Sequence, residues 1–204
     1  MMKRKFGNFL ILLGCVLLAA ALALFLYNRN EQQQADSASR QAIPKVVEAI
    51  RERRLREPEP TLSTEPTAPV QREMTVVDID GHGYIGFLGI PSLELELPVM
   101  ADWSYPQLQL APCRYSGSTF TDDLVVMAHN YPRHFGRLRD MRAGDIITFT
   151  DMDGSTTEYQ VVALDILDAA AVEDMTAGEY DLTLFTCNYG GSNRITVRCD
   201  VVIS

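Results

Sequence analysis

Residues 9–27 form a run of 19 residues without a single charge, and this run constrains the chain more than any other segment. As a helix it spans roughly 28 Å, close to the hydrocarbon thickness of about 30 Å. Lys3, Arg4 and Lys5 precede it. Positive charges so placed tend to stay in the cytoplasm, which sends the C-terminal bulk outside. The small residues between Ala19 and Ala23 would also suit a cleaved signal peptide. The run is longer than the usual apolar region of about 7–15 residues in such peptides, however, and it continues through Leu24, Phe25 and Leu26. The expectation is a single-pass anchor over 9–27, with residues 1–8 cytoplasmic and everything beyond outside.

The next segment reads as a linker. Residues 31–40 are rich in Gln, Ser and Ala and suit a juxtamembrane spacer. Residues 46–55 form a charged helix with a thin apolar seam of Val46, Val47, Ile50 and Leu55. Pro58, Pro60, Pro66 and Pro69 then interrupt any regular element, which is linker composition. Residues 28–73 are thus expected to be a stalk with one possible short helix, and the folded domain is expected over 74–204.

Within that domain short apolar runs follow one another. Residues 84–90 are one, broken by Gly86 and Gly89. Leu93, Leu95 and Leu97 alternate with Glu94 and Glu96, as a half-buried strand requires. Residues 124–128 are apolar throughout and read as central. Residues 145–150 and 156–167 make a hairpin around Asp151, Met152, Asp153 and Gly154, and 181–186 and 194–203 are the last strands. Helix is confined to single turns near 135–141 and 169–175. Many short strands with few helices predict an all-β domain, a closed or nearly closed barrel or a sandwich.

Charge and composition exclude some functions. Twenty-seven acidic against 18 basic side chains leave a net charge of −9, which disfavours binding to a nucleic-acid backbone. No zinc spacing and no phosphate loop occurs. The acidic pairs near Asp151 and Glu173 are too sparse for a calcium loop and read as solvated turns. Outside the anchor, Cys113, Cys187 and Cys199 are an odd set for an oxidising space. Cys187 ends a strand of alternating pattern, which suits a reactive thiol, whereas Cys199 reads as packed on a strand face. His129 closes the apolar run 124–128, and Arg194 opens the last strand. A thiol nucleophile needs an acid–base partner and a cation near a developing oxyanion. These three residues supply that set. His134, His82 and Arg198 are the rivals.

In this order the motifs resemble those of the sortases, the membrane-anchored cysteine transpeptidases of Gram-positive bacteria. Thr183-Leu184-Phe185-Thr186-Cys187 looks like their Thr-Leu-x-Thr-Cys segment, His129-Asn130 their strand-ending histidine, and Arg194 their last-strand arginine. Leu88-Gly89-Ile90-Pro91, Leu97-Pro98-Val99 and Phe135-Gly136-Arg137-Leu138 fit the same pattern. The resemblance implies an eight-stranded sortase-type β-barrel with one or two short helices, behind a transmembrane helix and linker. It implies cleavage of an LPxTG-like sorting signal through a thioacyl enzyme. The acyl group then passes to an amine of a peptidoglycan precursor or a pilin, with no metal or other cofactor. Cys187 would be the nucleophile, His129 the acid and then the base, and Arg194 the oxyanion and substrate partner. Thr186 and Asn130 would align the substrate. The class stays open: the phrasing around His129 resembles the haem-protein-anchoring class, whereas 165–181 has room for only one small helix. Two alternatives also remain, a hydrolytic cysteine protease and a peptide-binding module without turnover.

Overall fold

Apolar residues at every second position turn one side of each strand inward. The domain is built on that rule around a single core. The structure is a computed structural model and describes residues 2–56, 72–188 and 190–202. A long helix, α1 (Met2–Arg56), comes first. Nine strands follow: β1 (Val77–Ile79), β2 (His82–Ile90), β3 (Leu95–Met100), β4 (Cys113–Ser116), β5 (Leu124–Met127), β6 (Ile146–Asp151), β7 (Thr156–Asp168), β8 (Leu182–Cys187) and β9 (Asn193–Val201). Between them lie two short helices, α2 (Tyr105–Leu108) and α3 (Val172–Thr176), and 3-10 turns at Pro91–Leu93 and Leu138–Asp140.

The sheet runs β1-β2-β3-β4-β5-β8-β9-β7-β6, and β6 pairs back onto β2. That pairing closes an eight-stranded barrel and leaves β1 as an outer hairpin strand. Closure brings two backbones very close together. A Cβ on Gly86, whose φ is +146°, would stand 2.0 Å from the Thr150 carbonyl oxygen, so only glycine fits there. Ile85, Leu88, Leu97, Val99, Leu124, Val126, Ile147, Phe149, Leu182, Leu184 and Val197 fill the interior, and Phe135 and Leu138 pack into it from the loop after β5.

Several sequence expectations need adjusting. The alternation at 93–97 is real in burial, but Leu93 sits in the 3-10 turn and Glu94 adopts a left-handed conformation before β3 begins. The strands β1 and β4, with three and four residues, were too short to stand out. The acidic turn after β6 is not simply solvated. Asp151 accepts backbone N–H bonds from Asp153 and Ser155, and Asp153 pairs with Arg53 and Thr75. The prolines from Pro58 to Pro69 and residue 203 lie outside the described residues.

The largest difference concerns the stretch after the apolar run. Residues 28–56 continue α1 without a break. Local rules favour ending a helix before Pro44, which removes a ladder N–H, yet tertiary contacts hold it. Ala35, Ser39, Val46 and Ile50 are buried. Val46 and Ile50 pack with Tyr84, Met100, Leu108, Ala111, Cys113 and Met152, covering the outer face of β2 and β3. Lys45 pairs with Asp80, and Arg54 donates to the Gly154 carbonyl at 2.6 Å. Val47 and Leu55, expected on the seam, are exposed.

Candidate active site

The outer face of β5, β8 and β9 carries Cys187. In β8, Leu182, Leu184 and Thr186 point into the barrel, so Thr183, Phe185 and Cys187 point out. Cys187 is paired directly with Arg194 of β9. On the other flank β5 runs parallel to β8, with Val125 opposite Thr183 and Met127 opposite Phe185. His129 follows two residues after Met127, in the loop that leaves the end of β5 beside the Cys187 end of β8. The Ala128 N–H, donating to the Phe185 carbonyl at 3.2 Å, extends the pairing toward His129. Cys187 and Arg194 therefore share one rung of the β8–β9 pairing, and the chain leaving β5 carries His129.

The thiols differ sharply in environment. Cys113 and Cys199 are fully buried, and burial pushes both up to about 12. They stay protonated and inert at neutral pH. Cys187 is half-buried at the strand end. A disulfide between Cys187 and Cys199 is excluded by register: Cys199 pairs with Leu182, five residues before Cys187, roughly 17 Å away at about 3.4 Å per residue. All four cysteines are free.

His129 is half-buried. Burial lowers its pKa below the ordinary 6.5, and the Glu31 carboxylate of α1 works in the opposite sense. The imidazole is therefore neutral at rest, with one nitrogen able to accept a proton. A tight turn shapes its loop: Phe135 N–H donates to the His129 carbonyl and Gly136 N–H to the Tyr131 carbonyl. A Cβ on Gly136 would come within 2.4 Å of the Asn130 carbonyl oxygen. This explains in physical terms why glycine follows Phe135. Asn130 itself is half-buried beside His129.

Arg194 Nη1 donates to the carbonyls of Gly191 and Asn193, at 3.1 and 3.3 Å. These bonds hold the guanidinium against the short β8–β9 loop. Thr186 faces inward, and its hydroxyl donates to the Ala128 carbonyl at 2.8 Å. It ties β8 to β5 rather than facing the groove. Arg198 is a separate case. Only 4% exposed, it donates to Thr183 and to the carbonyls of Asp174 and Met175, and it lies over the Tyr180 ring. It clamps the α3 segment. His82 is half-buried in the β1–β2 hairpin, and His134 is fully buried.

Below the rung lies an apolar floor. Val125, Met175 and Phe185 cluster there with Tyr115, Met127 and Leu167. Tyr115 meets Phe185 edge-on at 5.4 Å, and Trp103 stacks on Tyr115. Sequence reasoning missed this wall, because Trp103 and Tyr115 sit in segments without periodicity. Thr196, one rung from Arg194, has a buried hydroxyl without a partner among the described residues. No group of three or more His, Cys, Asp or Glu suited to a metal occurs among the described residues.

Comparison with known proteins places this arrangement. The sequence matches the sortase domain over residues 88–202. No curated protein matches it. Among solved structures, sortase C1 from Streptococcus suis aligns at 27% identity and a TM-score of 0.52, covering 60% of this chain and 75% of that one. Sortase C from Streptococcus pneumoniae aligns at 21% identity and 0.56, covering 82% and 97%. Sortase A from Corynebacterium diphtheriae aligns at 19% and 0.54, covering 91% and 96%. With the matched domain spanning more than half the chain and a closed eight-stranded barrel beneath it, the protein belongs to the sortase family of cysteine transpeptidases.

Proposed function

We propose that this sortase cleaves an LPxTG-like C-terminal sorting signal and transfers the acyl group to an amine. The observation that carries the reading is the direct pairing of Cys187 with Arg194 between β8 and β9, beside the parallel strand β5 whose end leads into His129. Cys187 Sγ attacks the carbonyl carbon of the scissile peptide bond, its proton passing to His129. The amine leaves with a proton from His129, and a thioester remains on Cys187. An incoming amine loses a proton to His129 and attacks the thioester, the C–S bond breaks, and His129 returns that proton to the Cys187 thiolate. Arg194, a permanent cation with rigidly placed donors, faces the developing oxyanion. The Val125–Phe185 floor and the Tyr115–Trp103 wall suit the apolar residues of such a signal. Thr186 acts through the register it holds, and Asn130 borders the substrate beside His129.

The setting agrees with a substrate held at a membrane. The apolar segment of α1 is long and apolar enough to cross a bilayer, and Ser39, on the barrel, is twelve residues past Tyr27, about 18 Å along the helix. With the N-terminus cytoplasmic, the site opens outside, close to the bilayer surface. The acceptor is an amine of a peptidoglycan precursor or a pilin lysine. A peptide library incubated with glycine, diaminopimelate or lysine amines, and without amine, tests the whole reading by mass spectrometry. Amine-dependent ligation products on an LPxTG-like subset support it. Cleavage with only water as acceptor makes the protein a hydrolase, and binding without turnover makes it a peptide-binding module.

A further inference from the structure

His134 is the one histidine of the three with no solvent exposure, and its surroundings are specific. Its Nε2 lies 3.0 Å from Ser39 Oγ of α1. The Ser39 hydroxyl donates its only hydrogen to the Leu110 carbonyl at 2.8 Å. The imidazole must therefore donate to Ser39, so the proton sits on Nε2 and Nδ1 carries the lone pair. That Nδ1 is buried without a partner among the described residues. An apolar side chain here would avoid the cost of an unpaired buried acceptor, so packing alone does not account for a histidine.

What the ring connects does account for it. On one side stands α1, the helix with the membrane-crossing segment. On the other stands Tyr131, whose ring lies 5.7 Å from that of His134 and 4.9 Å from that of His129. The backbone repeats the link: His134 N–H donates to the Tyr131 carbonyl, and the next residue, Phe135, donates to the His129 carbonyl. Further along, Phe135, Leu138 and Met141 anchor the loop in the core, and Arg137 donates to the Leu93 carbonyl at 3.1 Å.

We propose that Ser39 and His134 form a buried latch through which α1 positions the His129 imidazole toward Cys187. His134 is a positioning residue and carries no proton in the reaction. The inference rests on the reading of His129 as acid and base. It makes the membrane helix part of the catalytic unit rather than only its tether. Substrate meets the groove on β5 and β8 whether or not the latch holds, so its loss lowers kcat and leaves KM nearly unchanged.

The test uses the full chain in detergent micelles or lipid nanodiscs, with a fluorogenic sorting-signal peptide and mass-spectrometric detection of the Cys187 thioacyl adduct. His134→Leu and Ser39→Ala are each expected to slow acylation and lower kcat by about tenfold to a hundredfold, the scale of a small misplacement of a reacting group. KM stays within about twofold, since groove contacts are untouched. His134→Gln, whose amide still donates to Ser39, recovers most of the loss. The Ser39→Ala/His134→Leu double variant is no worse than either single one, because the two act as a unit. Ser39→Ala removes one oxygen from a helix surface and keeps the test open should His134→Leu unfold. Unchanged kcat in Ser39→Ala overturns the latch, as does a change confined to KM, or equal losses in the His134→Leu and His134→Gln variants. Absence of any Cys187 adduct in the unsubstituted protein overturns instead the chemistry on which the latch rests.

Discussion

The two outer faces of the barrel are used in opposite ways. On β2 and β3 the outer side chains are apolar, Tyr84, Phe87 and Met100, and α1 lies over them with Val46 and Ile50. On β8 and β9 the outer row ends in Cys187 and Arg194, with His129 in the loop just after β5, and Met175 of the α3 segment packs with Tyr115 and Leu167 on part of this face. Both faces project from the same closed core, so the core does not distinguish them. What differs is the polarity of the residues pointing out. An apolar outer face must be covered to be stable, whereas a face left open by polar strand ends can bind a substrate. The two meet at Met127, which packs against both clusters, and at the loop after β5, where Ser39 reaches His134.

The largest effect expected on the open face comes from its thiol. Cys187→Ala abolishes cleavage and acyl-enzyme formation, while the buried Cys113 and Cys199 cannot substitute. Near-normal turnover in this variant would move the chemistry elsewhere.

The covered face is tested by removing its cover. A chain beginning at Met74 loses the burial of Val46 and Ile50, roughly 3–6 kcal/mol as an upper figure for two fully buried side chains. It should melt several degrees lower than one beginning at residue 30 and should associate through the exposed Tyr84 and Met100. Equal melting temperatures would restore the stalk expected over 28–73 and place the domain boundary at 74.

In the loop after β5, His129→Ala should lower kcat/KM by about 10²–10⁴-fold, the usual worth of a general acid–base group, and His82→Ala should do far less. A loss for His82→Ala as large as that for His129→Ala would break the distinction between loop and hairpin. For Arg194, Ala substitution should cost on the order of 3–4 kcal/mol in kcat/KM, as for a lost oxyanion donor. Lys should restore little of it, because the planar fork is lost. Arg198→Lys should instead lower the melting temperature through the α3 clamp. A fully active Arg194→Lys enzyme would reduce Arg194 to a diffuse charge.

The smallest effect is acid sensitivity at the junction of the faces. Burial holds His134 down at about 4, helped by the nearby His129, against 6.5 ordinarily, with the Ala35 carbonyl and Asp36 acting in the opposite sense. A folded-state value below the unfolded one means that the unfolded chain binds the proton more readily. Stability is therefore whole above pH 6.5 and falls as the pH drops toward about 4, by on the order of 3 kcal/mol. His134→Leu should flatten that part of the denaturation profile. An unchanged slope would show that His134 is not the group being protonated.

The site was more legible than its support. Cys187, His129 and Arg194 stood out because each ends or begins an apolar run, and strand ends meet solvent. The neighbourhood of their strands did not, since it depends on the parallel pairing of β5 with β8, two strands separated by the whole β6–β7 hairpin. The docking of α1 was nearly silent for another reason. Its contacts fall on Ala35, Ser39, Ala42, Val46, Ala49 and Ile50, a helical spacing made mostly of small residues. Small residues allow close approach but add little to a hydrophobic pattern, so the segment read as a spacer. Arg53 and Arg54, in what read only as a charged helix, find their partners Asp153 and Gly154 100 residues further along the chain.

By itself the sequence determined the local elements: an apolar helix of bilayer length, alternating strands that must bury one side, glycines where backbones cross, and a thiol, an imidazole and a guanidinium at strand ends. Those follow from side-chain period and polarity within a few residues. Only the tertiary structure decided which strands became neighbours, that β6 returns to β2 to close the barrel, and that Cys187 and Arg194 share a rung. It also decided that the helix leaving the membrane lies along the barrel and reaches the catalytic loop. These depend on contacts between residues far apart in the chain, whose free energy belongs to the packed whole and to no single segment.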